Sequence, residues 1–148
     1  MKVLNLTQDD FSNFSYWNSE ALRSVGVHCE SIETSKNLFG YSNSSTVLKP
    51  KQIRNKIAEA DIIQIIHSDR WALSQCIDKN KKLIVYHTGT KYRQNTDYYN
   101  ELFNPHVDIS FTDQTEFIGL GMKSEHYIAT AIDTDALIPR KELGDRLV

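Results

Sequence analysis

Asp61-Ile62-Ile63-Gln64-Ile65-Ile66-His67 puts four isoleucines into five positions, and Leu83-Ile84-Val85-Tyr86-His87 repeats the pattern one connection later. Runs this rich in β-branched residues suit pleated strands, and continuous rather than alternating apolar character marks strands covered on both faces. Each run stops at a histidine. Between them, Trp71, Leu73, Cys76 and Ile77 predict a helix capped by Ser68 or Asp69, so the pair reads as strand, helix, strand.

The same alternation extends in both directions. Upstream, Val3, Leu4 and Leu6 predict a first strand that ends in Gln8, Asp9 and Asp10. Trp17, Ala21, Leu22 and Val25 then fall on one helical face, with Ser15 as N-cap and Gly26 as the stop. Val27 to Glu33 reads as a second strand, and Pro50 opens a helix carrying Ile53, Ile57 and Ala58 that ends near Ala60. Downstream, Tyr98, Tyr99, Leu102 and Phe103 carry a helix closed by Asn104-Pro105. Val107, Ile109 and Phe111 alternate as a fifth strand, Thr115 to Leu120 fits a short helix, and His126 to Thr130 is a sixth strand. Strands interleaved with helices require crossovers, and so predict an α/β, Rossmann-like doubly wound three-layer sandwich on a mostly parallel sheet of six strands. Between the second strand and Pro50, the Ser- and Asn-rich stretch 34–49 is longer than an ordinary connection. It reads as a mobile loop or a flap beside the substrate.

Composition narrows the function classes. A length of 148 residues suits one domain, and at this size about 70% of the unfolded chain's surface can be buried. With 17 basic and 19 acidic residues the net charge is −2, whereas a nucleic-acid binder is normally basic. The two cysteines, Cys29 and Cys76, lack the CxxC spacing of a metal knuckle or redox pair. The chain opens on MKVLNLTQDD, with no signal-peptide core, and no apolar run is long enough for a transmembrane segment, so the expected location is cytoplasmic.

In a doubly wound sheet, ligands bind outside the carboxyl ends of the strands. Those ends supply Asp9 and Asp10 after the first strand, then His67, Ser68 and Asp69, then His87, Thr88, Gly89 and Thr90, and finally Thr112 and Asp113. The segment Tyr86 to Arg93 (YHTGTKYR) is the most informative: a buried strand runs through a glycine turn into a helix, with Lys91 and Arg93 adding positive charge. Free N–H groups at such a turn can hold a hydroxyl, phosphate or carboxylate oxygen. An ordinary strand-to-helix turn explains the same residues. The chain has no GxGxxG after its first strand, no phosphate loop ending in Gly-Lys-Ser or Gly-Lys-Thr, and no GxSxG elbow. The acidic pair and Thr88 resemble the receiver domains of response regulators only in part, because the third strand ends in His67-Ser68 instead of Asp and the fifth in Thr112-Asp113 instead of Lys. His67, Asp69 and His87 are of the residue types that ligate zinc, against which stands plain hydrogen bonding at strand ends. No metal is assigned.

Taken in order, KVLNLT, EALRSVG, ADIIQIIH, LIVYHTGTKYR and YIATAIDTDALIP resemble the amino-terminal domain of GT-B glycosyltransferases of the retaining, group-1-like kind over nearly the whole chain. The sharper parts are the histidine and glycine at 87 and 89 and the segment Ala131-Ile132-Asp133-Thr134 with Pro139, which is similar to the approach to an interdomain linker. The resemblance implies an acceptor-side domain over 1–140 and the start of a linker or second domain at 141–148, the donor-binding domain being missing and the chain inactive alone. It implies a sugar or glycan acceptor and, for the complete enzyme, a nucleotide-sugar donor, with no cofactor held by this chain. It makes His87 the catalytic candidate lining the cleft, with Thr88, Gly89, Thr90, Arg93, Asp9, Asp10, His67, Ser68 and Asp113 as substrate contacts. Asp133 reads as a turn cap, Tyr98 and Tyr99 as core, and no residue is assigned as general base. The chain departs from many relatives in lacking a glycine-rich loop after the first strand. The alternative reading is a free-standing Rossmann-like module for a small polar or phosphorylated ligand.

Overall fold

The isoleucine-rich runs become the middle of one sheet. The computed structural model describes residues 1–130, in the order β1 (Lys2–Leu6), α1 (Phe14–Ser24), β2 (His28–Glu33), β3 (Thr46–Val47), α2 (Pro50–Glu59), β4 (Ile62–Ile65), α3 (Arg70–Cys76), β5 (Lys82–Tyr86), α4 (Gly89–Gln94), α5 (Thr96–Phe103), β6 (Ile109–Thr112), a 3-10 turn (Thr115–Phe117) and β7 (Glu125–Tyr127). The seven strands run in the order β3-β2-β1-β4-β5-β6-β7. Every neighbouring pair is parallel, with Leu4 opposite Ile63 and Ile65 opposite Val85 at the centre. From β1 the chain builds outward to one side through β2 and β3, then returns to place β4 on the other side of β1. The strand order therefore reverses between β1 and β4, which is where a doubly wound sheet opens a crevice.

The fold is Rossmann-like α/β, with one strand more than the sequence suggests. The additional β3 lies inside the stretch read as a loop, where Thr46 and Val47 pair with Ile32 and Glu33. That stretch is tied to the β1–α1 connection by Asn37 Nδ2 donating to the Asp10 carbonyl (2.5 Å) and Asn13 Nδ2 donating to the Asn43 carbonyl (2.8 Å). Ser45 Oγ adds a bond to Asp10 Oδ2 (3.1 Å).

The two faces of the sheet differ in chemistry because side chains alternate along a strand. One face presents Leu4, Leu6, Ile32, Ile63, Ile65, Leu83 and Val85, and buries them against Ile53 and Ile57 of α2, Leu73 and Cys76 of α3, and Tyr99 and Phe103 of α5. The other face carries Asn5, Ser31, Glu33 and Gln64, all buried, and is covered by α1. The residues that α1 buries are accordingly Phe14, Ser15 and Ser19, whereas Val25 of the expected apolar face is 75% exposed. Small serines let the helix approach a polar seam, in which Asn5 Nδ2 donates to the Ser15 carbonyl (3.0 Å) and Ser15 Oγ meets Ser31 Oγ (2.6 Å). The cap of α1 also differs from expectation. Ser15 lies inside the helix, and Asp10 accepts from the backbone N–H of Ser15 and Tyr16 (3.0 and 3.1 Å).

Among the described residues no helix is long and apolar enough to cross a membrane. The segment Ala131 to Thr134, Asp133, Pro139 and the stretch 141–148 lie outside the described residues.

Candidate functional site

The crevice expected at the reversal point is present as a cavity of 680 Å³ at the carboxyl ends of β1, β4 and β5. Its β1 side supplies Gln8, Asp9 and Phe11, its β4 side His67, Ser68, Asp69, Arg70 and Trp71, and its β5 side Thr88, Gly89, Thr90 and Lys91. Tyr98, Tyr99 and Leu102 of α5 close it. A smaller compartment of 270 Å³ adjoins it, bordered by Phe14, Trp17, Asp113 and Gln114. Phe11, His67, Thr88 and Gly89 border both, so the His67–Thr88 pair forms a wall between them.

His67 is held from several directions. Its ring stacks on Phe11 with centroids 4.7 Å apart. Nδ1 lies 2.7 Å from Thr88 Oγ1, and Nε2 lies 3.4 Å from Asp10 Oδ1 and 3.3 Å from Ser12 Oγ. The side chain keeps 10% of its exposure, against 1% for Asp10.

Of the residues singled out from the sequence, Asp9, His67, Ser68, Thr88, Gly89 and Thr90 line the larger cavity and Asp113 the smaller. Three are placed elsewhere. His87, expected to line the cleft as its catalytic histidine, is fully buried one layer below it. Its ring packs on Tyr92 (4.2 Å between centroids) and edge-on to Phe103 (5.5 Å), and Nδ1 bonds Ser68 Oγ (2.9 Å). Burial away from water disfavours the charged imidazolium and lowers its pKa to about 3. Asp10, expected as a substrate contact, is enclosed by the cap of α1, Ser45 and His67, and reaches the cavity only through His67. Arg93 points away toward the 3-10 turn, where it bonds Gln114 (2.8 Å) and Glu116 (2.5 Å) and lies over the Phe117 ring.

Asp69 lines the cavity but its carboxylate is committed to structure. Oδ1 caps α3 through the Ala72 N–H (3.1 Å), while Oδ2 accepts from Thr7 Oγ1 (3.1 Å) and from the backbone N–H of Gln8. With His87 buried and Asp69 so engaged, the zinc set His67, Asp69 and His87 does not converge, and no other group of three such residues stands together among the described residues.

Sequence reading passed over Gln8, Phe11, Arg70 and Trp71 as lining residues, and placed Tyr98 in the core. Tyr98 is 45% exposed and accepts a 2.7 Å bond from Arg70 Nη1 across the mouth of the cavity, while its neighbour Tyr99 is the core residue. Position was the available signal for Arg70 and Trp71, which open α3 directly after the strand-end residues His67, Ser68 and Asp69. Nothing in the local pattern separates Tyr98 from Tyr99.

The resulting surface joins hydroxyl, carboxylate and cationic groups with exposed aromatic rings, which suits a hydroxylated ligand with an apolar face. No family model matches the chain, and neither does any curated protein or solved structure.

Proposed function

We propose that this chain is the acceptor-side domain of a glycosyltransferase, binding a sugar or glycan acceptor in the cavity where β1, β4 and β5 end. The observation that carries the reading is the composition of that cavity: Asp9, Thr88, Thr90, Arg70 and Lys91 offer hydrogen-bond partners, and Trp71 and Tyr98 offer rings. A sugar's hydroxyl groups need such partners, and its C–H faces pack on aromatic rings. The position at the strand-order reversal supports it, because ligands of doubly wound sheets gather there. In this reading the nucleotide-sugar donor and the groups that stabilise its leaving diphosphate belong to a second domain outside these residues.

Calorimetric titration of the chain with a panel of neutral mono- and disaccharides tests it. Selective binding that is lost in Asp9→Ala and Trp71→Ala is the expected result, and no response to any neutral sugar overturns it. The cations Arg70 and Lys91 at the same cavity favour a second reading, a free-standing module for a small phosphorylated ligand. Binding of sugar phosphates or inorganic phosphate, with none of neutral sugars, selects that one.

A further inference from the structure

His67 and Ser68 follow β4 with φ of 62° and 52°, successive left-handed residues that both carry side chains. Such backbone costs about 1–3 kcal/mol per residue and persists where the surroundings over-determine it. Glycine would make the same turn without that cost. What the turn accomplishes here is the placement of His67 between a buried carboxylate and a hydroxyl at the cavity wall.

Asp10 Oδ1 faces Nε2 at 3.4 Å and also accepts from the Ser15 N–H at 3.0 Å, while Oδ2 is taken by the Tyr16 N–H and by Ser45 Oγ. A carboxylate only accepts, and the Ser12 hydroxyl 3.3 Å from Nε2 can accept beside it, so the Asp10 contact assigns the ring proton to Nε2, and the Nδ1 lone pair is left to accept from Thr88 Oγ1–H at 2.7 Å. Phe11 stacked on the ring and the short Thr88 contact fix its orientation. Orienting acid, base and hydroxyl thus stand in sequence, the arrangement that activates a weak nucleophile.

We propose that Asp10, His67 and Thr88 form a proton relay in which His67 is the general base for hydroxyl groups at this wall: that of Thr88 and, through it, that of a hydroxyl-bearing ligand. The relay does not depend on which ligand the cavity takes. Toward an activated acyl ester, Thr88 Oγ1 bonds to the acyl carbon, its proton passes to His67 Nδ1, and the ester C–O bond breaks with its electron pair leaving on the alcohol oxygen. His67 then returns the proton to that oxygen or to water. Asp10 is a positioning residue, acting on the hydroxyl only through the ring.

The test uses p-nitrophenyl acetate on the whole chain, following nitrophenolate release and locating the acetyl group by peptide mass. Acetylation at Thr88 is expected. His67→Gln should slow it about 100-fold, the low end of general-base effects. Thr88→Ser should keep the acetyl group at the same position, and Thr88→Val should abolish it. Acetyl groups confined to lysines, or a native labelling rate at Thr88 in H67Q, would overturn the proposal. Nitrogen-15 spectra of the His67 ring give a readout that needs no variant to fold: a proton on Nε2 supports the relay and a proton on Nδ1 overturns it. In Asp10→Asn the ring should shift toward the other tautomer, and an unchanged tautomer would remove Asp10 from the relay.

Discussion

His87 follows β5 inside the protein, and its ring is neutral because burial against Tyr92 and Phe103 removes it from water, with the Ser68 hydroxyl bonding Nδ1 and no partner at Nε2 among the described residues. The consequence is a linkage. The unfolded chain binds a proton at His87 below pH 6.5, whereas the folded chain does so only near pH 3. Stability from this residue is therefore complete above 6.5 and is lost as the pH falls toward 3, at a limiting slope of about 1.4 kcal/mol per pH unit. Urea denaturation between those pH values should show this fall, and His87→Gln should flatten it. An unchanged slope in H87Q would place the acid sensitivity elsewhere. Cys29 and Cys76 are also governed by burial, which pushes both thiols up to about 12. Neither should react with a disulfide reagent in the native protein at neutral pH, and both should react at once in denaturant. Titration of free thiols with and without urea checks this.

At the scale of the element, the short helix α3 depends on Asp69, which caps it and also ties the β1 end to the β4 end through Thr7 and Gln8. Asp69→Ala should cost about 1–2 kcal/mol, the upper range for loss of an N-cap, and thermal or urea melts give the measurement. Helix α1 shows why amphipathic spacing alone misassigns a face. Trp17, Ala21, Leu22 and Val25 have helical period, yet the helix turns Ser15 and Ser19 inward because the sheet beneath it carries Asn5, Ser31 and Glu33. Buried Glu33 has its pKa raised, mainly by desolvation and further by the neighbouring Asp10 and Asp9. Ser19→Leu adds bulk where the helix and sheet are close, and should destabilise by about 1–3 kcal/mol as overpacked cores do. Stabilisation by that leucine would mean α1 stands off the sheet.

Across the whole molecule, β1, β4 and β5 are paired on both sides and packed beneath α2, α3 and α5. Their amides should be the slowest to exchange with deuterium, and β3 and β7, at the two edges, the fastest of the strands. Ile63→Ala in the centre of this core should cost about 2–5 kcal/mol. The sequence alone determined the alternation of strands and helices, because β-branched runs and capped apolar stripes are local signals that do not depend on distant residues. It also placed the candidate residues at the strand ends, which a parallel sheet gathers at one edge. Only the tertiary structure decided which histidine faces the cavity, that Asp10 stands behind His67, that Tyr98 is exposed at the mouth while Tyr99 is buried, and that Thr46–Val47 becomes a strand. These outcomes depend on which neighbour each side chain meets across the fold, and that pairing has no periodicity to read along the chain.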